Sequence, residues 1–371
     1  MNLTSIHASM LSIAFKAAFK HASSERSSTQ ALWIEARTRT GLIGFGEGCP
    51  REYVSAESMA TVRSFVDAHR GDWLARITDA RSLKDWVAEN RSAIDSNPAA
   101  WTAVELALLD LLGKERKCSI DALLGLEILA GRFHYTAVLG DASPESFGLQ
   151  LERYLTLGFV KFKIKLSGSL ERDTAKVRAL VECGVADHAV RADANNLWQD
   201  PDIAAAHIEA LRFRFLALEE PLRCADYAGL ARFARRLETR IILDESFLRE
   251  EQLDQFADLC NCWIVNLRVS KMGGLLRSLK MLQSLRERGL GLIIGAHVGE
   301  TSVLTRAALT IANCARDILV AQEGAFGTHL LEADVAQPPL MFGPGGVIDI
   351  GAFGIPEKPG LGLKVSSRQA A

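Results

Sequence analysis

Three acidic residues, Asp193, Glu219 and Asp244, recur at near-equal spacing in the stretches RADAN, LEEP and LDES. Lysines stand on both sides of them: Lys163 and Lys165 before, in VKFKIKL, and Lys271 after, in KMGG. Carboxylates gathered without a cation repel one another and are costly to desolvate. A hard divalent ion removes that cost. With oxygen donors only, and no Cys or His triad nearby, Mg²⁺ is the expected ion and Mn²⁺ the next. A small carboxylate substrate held there would lie between Lys165 and Lys271. That arrangement removes a proton from one face of a carbon acid and returns one on the other.

A free lysine is protonated at neutral pH and is a poor base. A neighbouring ammonium and a metal ion both disfavour its charged form. The paired K-x-K is therefore expected to let Lys163 keep Lys165 able to accept a proton. Both project from one face of a strand, because residues two apart share a face. Lys161, at the start of the run, reads as a surface lysine whose stem covers apolar surface.

The elements that position these residues follow from the pattern around them. Short runs rich in Val, Ile and Leu recur from residue 133 onward, each followed by an amphipathic helical stretch. Eight strands are expected, at FHYTAVLG, VKFKIKL, HAVRADAN, FLALEEP, RIILDES, CWIVNLRVS, GLIIGAHV and DILVAQEG. Lys165, Asp193, Glu219, Asp244, Lys271, His297 and Glu323 sit at or near their C-terminal ends, with successive gaps of 28, 26, 25, 27, 26 and 26 residues. One strand–helix unit of a parallel barrel takes about that length. Consecutive strands then deliver one polar group each to the end of the barrel where active sites lie. Glu220 and Glu245 follow two of the acids directly, and strand alternation aims them away from the axis.

The first part of the chain has a different grammar. WIEAR and LIGFGE alternate around TRTG, a hairpin signal. From about Ala56 to Leu112 the pattern is helical. AAWTAVELALLDLLGK carries Val104, Leu108 and Leu111 on one stripe, with Gly113 expected to close the helix. An open dinucleotide-binding sheet is the competing architecture. Its nearest fingerprint, GFGEG, lies in the hairpin and is discounted. The predicted architecture is α/β: a modified TIM barrel, (β/α)7β, over residues 126–339, and an α+β capping domain over residues 1–125 completed by about 340–371.

Composition excludes several classes. The net charge of -2 gives no basic balance for a nucleic-acid partner. No apolar run approaches the roughly 20 residues of a membrane span. Seven scattered cysteines without a C-x-x-C pair point to reduced thiols and a cytoplasmic location.

Taken together, the motifs resemble the enolase superfamily, in its muconate lactonizing enzyme subgroup. FKAAFKHA and GFGEGCP resemble the start of that family's capping domain, and AAWTAVELALLDLLGK with DALLG its helix and following turn. KFKIK, RADANN, LEEP, LDES and KMGG carry the barrel motifs. The resemblance implies that Asp193, Glu219 and Asp244 bind the metal, and that Lys165 and Lys271 form the acid/base pair with Lys163 assisting. Sites of this superfamily are known to use a Lys or His base with Mg²⁺. It further implies an enediolate formed beside the substrate carboxylate, a cap that selects the substrate through the loop at Phe19, Lys20 and His21, and a homo-oligomer.

The same lysine pair serves several reactions, and fold does not choose between them. Dipeptide epimerases of the subgroup carry Asp-x-Asp after the last strand. This chain has Glu323 followed by Gly324, and EGAFGTHLL resembles the muconate cycloisomerase run instead. Lys20 falls where several epimerases place an arginine for a carboxylate. Arg268, His297 and Glu323 are further candidates for touching substrate, and Glu300 for supporting the loop. Arg268 stands where relatives often have a lysine, and its planar fork binds a carboxylate differently. The expected function is a cycloisomerase-like isomerase of a small carboxylate. A dipeptide epimerase or N-acylamino acid racemase is the alternative, then a dehydratase or o-succinylbenzoate synthase. A non-catalytic binding protein comes last, because every ligand and lysine is present.

Overall fold

The computed structural model describes residues 1–21, 24–256 and 262–366, without the side chains of residues 17–25. Lys20, Phe19 and His21 therefore lie, as side chains, outside the described residues.

The chain opens with β1 (Leu3–Leu11), β2 (Ala14–His21), β3 (Ser24–Ser28), β4 (Ala31–Thr38) and β5 (Ile43–Gly48). β4 and β5 form the expected hairpin and β1 joins them in an antiparallel sheet; β2 and β3 pair separately. Helices α1 (Glu52–Ser55), α2 (Met59–Arg76), α3 (Ala80–Glu89), α4 (Arg91–Ser96), α5 (Pro98–Arg116) and α6 (Ile120–Leu124) follow.

Two sequence expectations for α5 are corrected. It is buried on all sides from Pro98 to Gly113, not along one stripe, because β4 and β5 pack on one side and residues 269–276 on another. Gly113 does not end it; Lys117, in a left-handed conformation, does. A Cβ at Gly113 would lie 2.7 Å from the Gly360 Cα, so this glycine lets the C-terminal segment approach. The G-x-G-x-G of the hairpin has the same cause. Cβ atoms at Gly44, Gly46 and Gly48 would meet the carbonyl oxygens of Ala107, Ala103 and Ala99 at 2.1, 1.8 and 2.0 Å. One face of β5 is bare backbone lying on α5. Gly46→Ala should thus destabilise the chain by more than about 3 kcal/mol, since only sheet–helix separation relieves the clash. Thermal unfolding would read this, and an unchanged Tm would refute the close-approach account.

The remaining strands are β6 (Arg132–His134), β7 (Ala137–Leu139), β8 (Phe162–Lys165), β9 (Val190–Asp193), β10 (Ala217–Glu219), β11 (Ile241–Leu243), β12 (Trp263–Leu267), β13 (Gly291–Ile294), β14 (Leu319–Gln322) and β15 (Val347–Asp349). β7 to β14 form one parallel sheet in sequence order, all eight as expected. The Thr136 N–H, just before β7, donates to the Gln322 carbonyl on β14 at 2.8 Å, so the outer strands meet and the sheet curls into a barrel. Between them run α7 (Pro144–Thr156), α8 (Leu170–Glu182), α9 (Pro201–Ala210), α10 (Tyr227–Leu237), α11 (Leu253–Phe256), α12 (Val269–Met272), α13 (Leu275–Glu287) and α14 (Ser302–Cys314). β15 pairs with β6.

Ala217, Ile242, Ile264, Ile293 and Ala321, one from each of β10 to β14, form a small apolar cluster separate from the main core. These are the inward side chains of the barrel. Two residues further along, four of these five positions are polar and the fifth, after β13, is Gly295, because the strand period is two. Glu219, Asp244, Asn266 and Glu323 arise in this way.

Cys49, Cys118, Cys183, Cys224 and Cys314 are free thiols. Cys262 is disulfide-bonded, which corrects the expectation of seven reduced thiols.

Candidate active site

Lys163 is the hub of the inward polar layer. Its Nζ lies 2.9 Å from Glu323 Oε2, 3.0 Å from Glu219 Oε2 and 3.6 Å from Asp193 Oδ2. Burial works against its charge, but Glu219, Glu323 and Asp193 outweigh that and raise its pKa. Lys165 donates to Asn195 Oδ1 at 2.7 Å and stands 3.7 Å from Asp193 Oδ2. Burial would raise the Asp193 carboxyl, yet Lys165 and Lys163 hold it below its usual range. Burial dominates at Glu219 and raises it.

Lys271 sits at the other end of this row. It follows β12, and its Nζ donates to Asp244 Oδ1 and to the Asp244 and Asn266 carbonyls at 2.8–2.9 Å. Burial, then the nearby Arg268 charge, pushes its pKa down to about 7. Asp244 also pairs with Arg268. In sheet order β9, β10 and β11, bearing Asp193, Glu219 and the approach to Asp244, lie between the two lysines. Lys161, by contrast, is exposed and bonds the Val320 carbonyl.

Glu220 and Glu245 behave differently from each other. Glu220 takes a left-handed backbone conformation, φ 41°. Its carboxylate accepts from the Asp244 and Ser246 amides, the Ser246 hydroxyl and Asn196, bracing the turn that carries Asp244. Glu245 does not point away, as simple alternation predicts. The strand ends at Leu243, and Glu245 lies within the field of Glu220, Asp193 and Glu219. Burial first, then those charges, raises it to about 8, and its buried Oε2 has no hydrogen-bond partner.

Among the described residues no three Asp, Glu, His or Cys side chains converge closely enough to hold an ion as they stand. The Lys163 ammonium lies among Asp193, Glu219 and Glu323, and Asp244 turns to Arg268 and Lys271. The donor chemistry nonetheless fits a hard divalent cation. It consists of buried carboxylate oxygens from neighbouring strands, and the Glu245 oxygen beside them is unpartnered.

Glu323 is engaged rather than free. Besides Lys163 it pairs with Arg191 at 2.7 Å, and both cations hold its pKa down at about 2 against the effect of burial. Arg268 contacts His297 Nδ1 at 3.3 Å, and the Glu300 carboxylate accepts from the His297 amide at 2.7 Å. Lys271 also lines a cavity of about 250 Å³ shared with Glu52, Val54, Ser55, Leu248 and Arg249.

Burial, then the charges of Arg268, Arg51 and Lys271, lowers the His297 pKa well below its usual value. The folded chain therefore resists binding a proton that the unfolded chain takes up near pH 6.5. Stability from this group is full above pH 6.5 and falls at about 1.4 kcal/mol per pH unit below it. His297→Asn should flatten the denaturant-measured stability profile between pH 6.5 and 5. An unaltered slope would show that His297 is not the group concerned.

Three site residues escaped the sequence reading: Arg191, Asn195 and Asn266. Arg191 is two residues before Asp193, and Asn266 two after the inward Ile264, so strand parity could have found both. Asn195 could not be found that way, because it lies beyond β9 with φ 45°.

A closed parallel barrel with paired lysines across a row of carboxylates defines an acid/base enzyme of the α/β-barrel class. Residues 6–125 match the Mandelate racemase / muconate lactonizing enzyme, N-terminal domain, and residues 147–370 match Enolase C-terminal domain-like. The chain belongs to this family, the muconate lactonizing enzyme subgroup of the enolase superfamily, and is an isomerase of that superfamily. It is 27% identical to a hydrophobic dipeptide epimerase of Enterococcus faecalis, over 88% of this chain and 92% of that protein. It is 24% identical to a chloromuconate cycloisomerase of Cupriavidus pinatubonensis, over 91% and 90%. Among solved structures it resembles a dipeptide epimerase from Methylococcus capsulatus complexed with Mg and the dipeptide L-Arg-D-Lys. The TM-score is 0.83 at 25% identity, covering 99% of this chain and all of that one.

Proposed function

We propose that this chain is a Mg²⁺-dependent isomerase that abstracts the proton α to a carboxylate, with a cycloisomerase-like reaction on a small carboxylate. The observation that carries this reading is the position of Lys165 and Lys271 at opposite ends of the carboxylate row. Asp193, Glu219 and Asp244 would hold the ion, Mg²⁺ first and Mn²⁺ next. When bound, the ion supplies Lewis-acid neutralisation of the substrate carboxylate. Lys271, buried and adjacent to Arg268, can be neutral near pH 7 and so take a proton. Lys165, held by Asn195, returns one on the opposite face. Lys163 adds a fixed positive charge where negative charge develops.

Residues 1–125, with 340–371, act in this reading as the cap over the 126–339 barrel. The shared cavity between Glu52–Ser55 and Lys271 supports a cap that meets the substrate. Arg268, His297 and, by its place in the sequence, Lys20 are proposed to face substrate anions. The partners are a small carboxylate and further copies of the chain, in the cytoplasm, without nucleic acid or membrane. No described helix is long and apolar enough to cross a bilayer.

Engagement of Glu323 by Lys163 and Arg191 favours the cycloisomerase-like reaction, because this carboxylate is already paired with two cations and is not open to a substrate ammonium. The second reading, a dipeptide epimerase or N-acylamino acid racemase, is favoured by the Enterococcus faecalis relative. A screen in D₂O with Mg²⁺, over dipeptides, N-acyl amino acids and muconate-like diacids, separates them. Lactone formation from a diacid supports the first reading, and inversion with α-deuteration of an amino-acid derivative supports the second. Failure of the whole panel to exchange or cyclise would overturn both.

A further inference from the structure

The turn that carries Lys271 is held from the other part of the fold. Lys271 lies in α12, and Gly273 and Gly274 join α12 to α13. The Gly274 amide bonds back to the Val269 carbonyl, so the two helices are fixed to one another. Apart from the bonds of Lys271 itself to Asp244 and Asn266, side chains and amides of the first 125 residues anchor this segment. The Cys49 amide donates to Ser270 Oγ at 2.8 Å, and Thr102 Oγ1, whose nearest acceptor is the Pro98 carbonyl at 2.8 Å, packs 3.3 and 3.4 Å from the Val269 and Ser270 carbonyls. Glu105 Oε1, from the middle of α5, accepts from the Leu276 amide at 3.0 Å, and Trp101 Nε1 holds its other oxygen at 3.1 Å.

The two glycines of KMGG now have a physical cause. Gly274 has φ 102°, and a Cβ there would lie 2.5 Å from Glu105 Oε1. Gly273 has φ 77°, and its Cβ would lie 2.6 Å from Ile94 Cγ2. The Glu105 carboxylate thus occupies the space beside a bare Cα, at the open amides of the α13 N-terminus, where an anion is favoured. We propose that Glu105 is a positioning residue for Lys271: its carboxylate sets the α12–α13 turn and with it the place of the Lys271 ammonium. This rests on the reading of Lys271 as the proton-transfer group.

Glu47 provides a matched control. From β5 it accepts from the Thr301 amide and hydroxyl and from the Leu304 amide, at the N-terminus of α14. Both carboxylates are fully buried, and burial raises each to about 7. They differ in which barrel loop they hold.

The test is hydrogen–deuterium exchange of the full chain with Mg²⁺ and no substrate. In Glu105→Ala, peptides covering residues 269–278 should exchange at least about tenfold faster, while those covering 301–306 keep the parent rate. Glu47→Ala should give the reverse, and Glu105→Gln, which retains an acceptor for Leu276, should restore protection. If Glu105→Ala does not fold, Gly274→Ala displaces the same carboxylate and should loosen the same peptides. On a substrate returned by the D₂O screen, Glu105→Ala should lower kcat about 100-fold with KM little changed, the scale for a displacement of about 1 Å at a reacting group. Equal acceleration of both regions in both variants, or unchanged protection at 269–278, would overturn the proposal. Local loosening with unchanged kcat would instead refute Lys271 as the reacting group, so the two failures are distinguishable.

Discussion

Lys165→Ala and Lys271→Ala should each stop net isomerisation, and each should remove α-proton exchange from one stereoisomer of a chiral substrate while divalent-cation binding persists. The expected loss is about 10⁴-fold, the upper range for removing a positioned acid/base group. Lys165 ends β8 and Lys271 follows β12, with β9, β10 and β11 between them, so one cannot reach the other's face. Neither is needed to keep the acids in place. Asp193 keeps Lys163 and the Asn195 amide when Lys165 is lost, and Asp244 keeps Arg268 when Lys271 is lost. Deuterium incorporation by NMR, run on both isomers, reads the faces separately. Unchanged exchange in both variants would remove the two-base mechanism.

Asp193→Asn has the second-largest expected effect. Asp193 pairs with both ammonium groups of the K-x-K pair, at 3.6 Å from Lys163 and 3.7 Å from Lys165, and its pKa is held down by them. The amide keeps the shape and removes the charge. Breaking one member of a buried charge set costs about 3 kcal/mol, which corresponds to a Mg²⁺ affinity roughly 100-fold weaker. Titration calorimetry on the folded variant measures this without any substrate. Parent-like affinity would strike Asp193 from the ligand set.

Much of this site was legible because a parallel barrel writes its geometry into the sequence as a period. Gaps of 25 to 28 residues put Lys165, Asp193, Glu219, Asp244, Lys271, His297 and Glu323 at or near consecutive strand ends; Lys165, Asp193 and Glu219 close their strands, Asp244, His297 and Glu323 follow theirs, and Lys271 lies in the short helix after β12. Place along the strand then separated Lys163 and Lys165 from Lys161, which shares their parity but precedes β8. Legibility stopped where the strands stop. Glu245 follows β11 and escapes its alternation, and Glu220 and Asn195 adopt left-handed conformations that no strand rule describes.

Pairings across the chain were also beyond the sequence. Which cation each acid takes depends on distances between side chains some 25 to 160 residues apart, such as Glu323 with Lys163 and Arg191, and Asp244 with Arg268 and Lys271. The α5 helix, with a clear stripe on paper, is buried all round because two bodies of structure close on it from opposite sides. By itself the sequence determined the barrel, its polar end and the residue types gathered there, since local periodicity encodes all three. Only the tertiary structure decided that GFGEG is a docking face for α5, and that the KMGG glycines make room for Ile94 and Glu105. Steric exclusion between distant segments leaves no periodic trace in the chain.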